Sequence, residues 1–250
     1  MTAPPSSPSP SALSSTRRST PNRTKHRTVT ERETLYEVLD AGLICHLGVV
    51  LGGSPVVLPT CYGRDGDTLY LHGSTGARSL LAARAGMDVC VTVTHVDGIV
   101  YARSLFHHSM NYRSAVVHGT ADRVTDRAAK LHGLQVVTEH LAPGSWDHAR
   151  EVDAQEFASV SVLALPLGEA SVKVRATHPG DDEEDIEANA VWAGVLPLIS
   201  TYGAPVPSPD LAGSRDVPEY VSRRRYPANP RAGASAQSVP SVPSVPSVPS

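Results

Sequence analysis

The stretch PVVLPTCYGRDGDTLYLHGSTGARSLLAAR, residues 55–84, decides how this chain reads. An apolar, β-rich run over residues 55–62 breaks at Gly63-Arg64-Asp65-Gly66-Asp67, and large residues resume in alternation over 68–72. Two such runs about a short Asp-Gly loop predict a β-hairpin. Next comes His72-Gly73-Ser74-Thr75-Gly76, small and hydroxyl-bearing. It opens onto a strong helix former over residues 77–85. A strand that ends in Gly, Ser and Thr at a helix start gathers free backbone N–H groups, hydroxyls and the positive end of a helix dipole, and Arg78 adds a full charge. That corner suits a phosphate monoester. The same residues also fit a plainer reading, with Ser74 or Thr75 as an N-cap and Arg78 solvated.

Outward from this stretch the pattern stays β-rich. A helix is predicted after Thr30-Glu31-Arg32-Glu33, which has the form of a capping box, with Leu35, Val38 and Leu39 on one face and Gly42 ending it. Residues 43–51 form an apolar strand that Gly52-Gly53-Ser54 turns back. Residues 89–94 and 99–105 read as a hairpin about Asp97-Gly98, and 111–124 as a long strand. Residues 126–141 carry helical spacing, and a shorter helix is expected over 150–157. Residues 160–165 and 170–176 make a further β pair. Many short strands joined by tight turns, with few helices, predict a closed or nearly closed antiparallel sheet.

The remainder bounds the class. Residues 1–27 are rich in Ser, Pro and Arg and are expected to be a disordered tail. Residues 28–203 form the domain, and the Pro-rich, low-complexity residues 204–250 a second tail. A net charge of −3 and 5% aromatic residues argue against nucleic acid or an acidic membrane as a main partner. Cys45, Cys61 and Cys90 lie far apart in apolar runs. They fit neither a disulfide framework nor a zinc site and are expected to be small buried hydrophobes in a reducing compartment. No run is apolar and long enough for a membrane span, and residues 1–27 lack a signal-type apolar core, so a cytoplasmic location is expected. There is no Gly-x-Gly-x-x-Gly after a first strand and no Walker sequence.

Several segments in order resemble the pyridoxamine 5′-phosphate oxidase-like, FMN-binding split-barrel family, nearest its nitroimidazole-resistance branch. They are Gly42-Leu43-Ile44, Pro55-Val56-Val57-Leu58-Pro59-Thr60, Leu69-Tyr70-Leu71-His72-Gly73-Ser74 with Arg78, and the 111–119 run Asn-Tyr-Arg-Ser-Ala-Val-Val-His-Gly. Lys173-Val174-Arg175, the acidic 181–185 stretch and the 191–198 run follow. The resemblance covers about residues 28–200. It implies a mainly β split barrel with flanking helices, a homodimer, and FMN at the subunit interface.

Carried over residue by residue, Val57, Leu58, Pro59 and Thr60 run along the flavin ring and ribityl chain. His72, Ser74 and Arg78 hold the phosphate, with Ser79 where the family commonly has a lysine. Tyr112, Arg113 and Ser114 reach the cofactor or substrate from the partner subunit. Trp192 covers the ring or is a core tryptophan, and the two readings stay open. His107, His108 and His118 are candidates for proton transfer, or structural. The series His132, His140 and His148 lacks metal-helix spacing, and no metal is assigned.

The function implied is a flavin-dependent oxidoreductase moving electrons from a reduced donor to a small organic acceptor or oxygen. The alternative is a non-catalytic module that binds or carries flavin, haem or deazaflavin F420. The substrate-binding Arg-x-His segment of the oxidase itself has no counterpart here, which argues against that particular activity.

Overall fold

The computed structural model describes residues 12–14, 16–20, 25–76, 86–211, 213, 215–227 and 229. They fall into two compact units. The first comprises the described residues up to His95 together with Tyr112–Val174 and Ser200–Pro227, and the second comprises Val96–Asn111 and Arg175–Ile199.

In the first unit, helix α1 (Arg32–Ala41) turns Leu35, Val38 and Leu39 into the core. The expected capping box does not form: the N-cap is Glu31, whose carboxylate instead accepts the N–H of Thr30 at 3.1 Å. Strand β2 (Cys45–Leu51) turns back into β3 (Ser54–Thr60), with Gly52 and Gly53 both at positive φ, as the tight turn requires. After Cys61 the chain continues as β4 (Tyr62–Asp65), which pairs with β5 (Thr68–Ser74). The hairpin expected from residues 55–72 is therefore two hairpins. Its first run is divided at Cys61, β3 pairing backward with β2 and β4 forward with β5.

The long strands β6 (Met87–Tyr101) and β7 (Ser109–Arg123) follow. Next come helices α2 (Arg127–Leu141) and α3 (Ala154–Ser159), then β8 (Val160–Pro166) and β9 (Glu169–Arg175). Helix α2 starts where the sequence places it, the Asp126 carboxylate accepting the Ala129 N–H at 2.8 Å. Helix α3 is capped by a reciprocal Asp153–Glu156 box, later than the expected start at residue 150. The neighbours run β3-β2-β6-β7-β8-β5-β4, with β9 pairing β7 and the short β1 (Thr28–Val29). The strands at the two ends of this order, β3 and β4, are joined through one residue, Cys61. The antiparallel sheet must therefore curl until its two ends meet, with no pairing between β3 and β4 among the described residues.

The interior is aliphatic, with Leu47, Leu69, Leu71, Val91, Leu163 and Leu165 buried and Tyr62 donating to the Leu39 carbonyl. Cys45 is buried there, and desolvation pushes its thiol up to about 12, as expected of a small hydrophobe; Cys61 and Cys90 are half-buried. Arg32 is buried and clasps two turns at once, donating to Asp67 at 2.9 Å and to the Leu167 carbonyl at 3.2 Å.

Both expected tails contribute contacts. The Leu13 N–H donates to the Thr30 carbonyl, Arg18 pairs with Glu169, and Tyr220 of helix α5 (Glu219–Ser222) packs at 3.0 Å from where Gly144 would carry a Cβ. Arg18 and Thr16 together hold the Glu169 carboxyl at about 2.

In the second unit, Asp97-Gly98 is no turn; β6 runs straight through it. Strand β10 (Gly194–Pro197) pairs there, Leu196 opposite Ile99 and Pro197 opposite Gly98. A Cβ on Gly98 would stand 2.9 Å from the Leu196 carbonyl oxygen, so the glycine serves a close approach. Helix α4 (Glu183–Ala188) ends on Asn189 in the left-handed region, φ 41°, and Arg103 ties this end together by donating to Asp181 and Asn189.

Gly63 is the tightest helix–strand contact. A Cβ there would lie 2.5 Å from the Val136 carbonyl oxygen and 2.9 Å from Val137 Cα, all backbone of α2. Gly63→Ala should destabilise the fold by about 1–3 kcal/mol. Gly168→Ala, at an ordinary φ with nothing within 4 Å of its Cβ, should change stability by no more than about 0.5 kcal/mol. Urea unfolding of the two variants against the parent checks both.

Candidate functional site

β2 and β3 present an unusual outer face. An antiparallel sheet normally turns polar residues to water, yet Val50 and Val57 are 61% and 64% exposed. The register sets Gly48 between Val57 on β3 and Cys90 on β6, and His46 between Pro59 and Thr92. With no side chain at Gly48, the wall has a shallow, mostly apolar step at its centre. Among the described residues β3 pairs only with β2, so one side of its backbone is open. Proline cannot donate to a ladder. Pro55 and Pro59 therefore mark the open side, and by alternation the N–H and C=O of Val57 point the same way. Of the residues expected along a flavin, Val57 and Pro59 are exposed, and Leu58 and Thr60 half-buried.

The phosphate corner lies at the other side of the Cys61 junction. Tyr62 pairs with Leu71, so Thr60 and Cys61 run on toward the level of His72 and Gly73. Ser74 pairs with Val160, and the Thr75 N–H donates to the Ser159 carbonyl at 2.9 Å. Ser74 is exposed, and its hydroxyl accepts the Gly76 N–H at 3.3 Å. His72 is half-buried, and its Nδ1 is buried with no hydrogen-bond partner among the described residues. Desolvation lowers the pKa of this imidazole. An orphaned polar atom beside a hydroxyl-bearing turn fits a ligand that offers hydrogen-bonding oxygens. Arg78 and Ser79, with the helix expected over residues 77–85, lie outside the described residues.

The three residues expected from β7 do not act together. Arg113 is buried and shares the inward face with Ala115 and Val117, whereas Tyr112 and Ser114 alternate onto the opposite face, half-buried. The alternation of a strand makes one face available to a ligand, and Arg113 is not on it. In the second unit Trp192 is 69% exposed, its ring 6.0 Å from that of Tyr101. It is no core tryptophan there. His107 and His108 are both bonded to Ser104, and His118 stands half-buried on β7. The second unit also gathers His107, Asp182 and Asp185, with ligand-type atoms within 4.8 Å of one another, a grouping that no local spacing announces because the histidine and the acids are far apart in the chain.

A family model described as pyridoxamine 5′-phosphate oxidase matches residues 31–174. Among solved structures, the flavocytochrome Anf3 from Azotobacter vinelandii is 36% identical, covering 82% of this chain and 95% of that one with a TM-score of 0.78. A FAD and haem binding protein from Mycobacterium smegmatis is 39% identical, covering 78% and 95%, with a TM-score of 0.75. A protein ascribed to 5-nitroimidazole antibiotic resistance in Bacteroides thetaiotaomicron is 22% identical over 59% of this chain and 86% of that one. Its TM-score is 0.51, and it shares the fold. A comparison with curated proteins returns no match. Among the described residues no helix is long and apolar enough to cross a membrane.

Burial of His72 fixes a pH response. Its folded pKa lies below the ordinary 6.5, so the unfolded chain takes up the proton first. Stability is unaffected above that value and is lost as pH falls from it toward the folded pKa. His72→Gln should lose less stability than the parent between about pH 7.5 and 5.5, compared by urea midpoints at the two pH values. Equal losses would mean that the ring is solvated.

Proposed function

Because the chain belongs to the pyridoxamine 5′-phosphate oxidase family, we propose that it binds a flavin and uses it as an oxidoreductase, passing electrons from a reduced donor to a small organic acceptor or oxygen. The observation that carries this reading is the pairing of an exposed apolar strand edge at Val57–Pro59 with a corner that holds a buried nitrogen, His72 Nδ1, with no hydrogen-bond partner among the described residues. The FMN portion of a flavin needs both, a flat apolar wall with backbone groups at its edge for the ring and charge-assisted donors for the phosphate.

In this arrangement the Val57 N–H and C=O meet the polar edge of the ring, and the step at Gly48 leaves room for its plane. Thr60, His72, Ser74 and Arg78 take the ribityl and phosphate groups. A neutral His72 still donates one N–H, and Arg78 supplies the charge. Ser79 donates a hydroxyl where the family commonly has a cation. Tyr112 and Ser114 are the β7 residues with access to bound ligand. Bound flavin supplies the two-electron chemistry; the chain orients it and limits what reaches it.

We further propose that the wall is completed by a second copy of the chain. Covering Val50 and Val57 would contribute on the order of 1 kcal/mol each. A second reading, flavin together with haem, is favoured by the two relatives above 35% identity, whose descriptions name a flavocytochrome and a FAD and haem binding protein.

The absorption spectrum of the purified protein tests these readings. Flavin bands that bleach with reduced pyridine nucleotide and return in air support the oxidoreductase, flavin bands without bleaching a carrier, and an added Soret band the haem reading. Arg78→Ala should weaken flavin binding by about 1.5–3 kcal/mol; unchanged titrations would remove Arg78 from the site. Light scattering at micromolar concentration should give a dimer, and a monomer would remove the shared-site arrangement.

A further inference from the structure

The second unit carries a grouping that the flavin reading does not use. One imidazole nitrogen of His107 and one carboxylate oxygen each of Asp182 and Asp185 lie within 4.8 Å of one another. The histidine ends a short 3-10 turn, Leu105–His107, and the acids open helix α4, so two distant segments of chain supply the set. Both segments are fixed by bonds outside it. The Arg103 backbone N–H and guanidinium each donate to Asp181 at 2.8 Å, and the guanidinium also reaches Asn189 at 3.2 Å. These contacts tie both ends of α4 to the chain that leads into the His107 turn. His107 Nδ1 is hydrogen-bonded to the Ser104 hydroxyl at 3.1 Å, which leaves Nε2 for a ligand. A metal-bound imidazole is oriented in this way, its second nitrogen donating to a neighbouring oxygen.

The helix dipole accounts for only part of this acidity. Negative charge is favourable in a first turn, and Glu183, Glu184 and Asp185 lie there. It does not account for Asp182. An N-cap aspartate ordinarily accepts the N–H two or three residues on through its side chain. Asp182 makes no such bond. The Asp185 N–H goes to its backbone carbonyl at 3.1 Å, and the carboxylate stands with those of His107 and Asp185 in the ligand set instead. Arg103 is taken by Asp181, and among the described residues neither Asp182 nor Asp185 forms an ion pair. Two carboxylates this close repel, and a cation between them removes the repulsion. Asp182 also borders an open cavity of about 450 Å³, lined by Glu183, Glu184 and Glu187, through which an ion can enter from solvent.

We propose that His107, Asp182 and Asp185 bind one divalent transition-metal ion of the zinc class. Carboxylates alone would suit calcium or magnesium, whereas an imidazole among them selects a first-row ion over those harder cations. Zinc, with bonds of about 2.0–2.2 Å, sets its donor atoms roughly 3.5 Å apart, and the exposed side chain of Asp182 closes that distance. Three protein ligands leave a fourth position to water or a small anion. The bound ion clasps the His107 turn to α4, and this site does not depend on the flavin reading.

The test is calorimetric titration of the full chain, freed of metal by a chelator, with zinc chloride. The parent is compared with His107→Ala, Asp185→Asn and Glu184→Gln, with folding checked by circular dichroism. The parent should bind zinc at this site, and magnesium in excess should not displace it. His107→Ala and Asp185→Asn should each lose about tenfold or more in affinity. Glu184→Gln removes the same charge from the same turn as Asp185→Asn and should stay within about twofold of the parent. If either ligand variant fails to fold, Asp182→Asn, at an exposed side chain, gives the same reading. Equal losses in all variants would mean that the acids draw cations without coordinating one. Parental affinity in the ligand variants would put the zinc elsewhere, and a parent that binds no zinc would end the proposal; any of the three overturns the site.

Discussion

The single-residue passage from β3 to β4 through Cys61 is the constraint on which the first unit depends. It joins the two ends of a seven-strand order, so the sheet must curl round into a barrel that is split between β3 and β4. Closure makes one aliphatic interior out of residues from α1 and every long strand. It also leaves β3 as an edge that pairs on one side only, because its prolines have no N–H to donate toward a further strand. The same passage carries the chain from the apolar edge to the strand pair that bears His72 and Ser74. Wall and corner are neighbours because the barrel had to close there.

Electrostatics then separate structural cations from available ones. Arg32, buried, is satisfied by Asp67 and the Leu167 carbonyl and locks α1 to two turns. Arg64 is held by Asp40, and Arg103 by Asp181 and Asn189. Each has an acid or a carbonyl waiting, as a guanidinium taken out of water requires. Arg127 and Lys130 are arranged differently, over the ring of Phe157 at the positive end of a helix. An aromatic face and a backbone carbonyl, not an acid, hold these two cations.

The sequence yielded the fold class because alternation and turn residues act locally. Gly52-Gly53 and the Asp126 cap form where the pattern puts them, and strands form at 160–166 and 169–175, but β8 pairs with β5 and β7 and β9 with β1 and β7, not with each other as the short turn between them suggested. The departures come from tertiary contacts that the local code does not contain. Asp97-Gly98 has the composition of a turn, yet β10, nearly a hundred residues later in the chain, pairs across it and keeps it extended. Residues 55–62 read as one strand because apolarity is continuous, and nothing local says that Thr60 pairs back onto β2 and Tyr62 forward onto β5. The site was legible in part. His72 and Ser74 follow from a strand ending in hydroxyl residues, and Val57 from resemblance. Arg113 was grouped with Tyr112 and Ser114 by sequence adjacency, which in a strand means opposite faces.

The polar and apolar halves of the candidate site are linked by the same physical reasoning. A strand edge with exposed valines and an unsatisfied imidazole nitrogen a short distance along the chain are each unfavourable alone, the first by hydration of apolar area and the second by loss of a hydrogen bond. A fold tolerates such costs where it must keep a surface ready for something outside the chain. An amphipathic ligand with a flat apolar body and an anionic tail offsets both in one binding event.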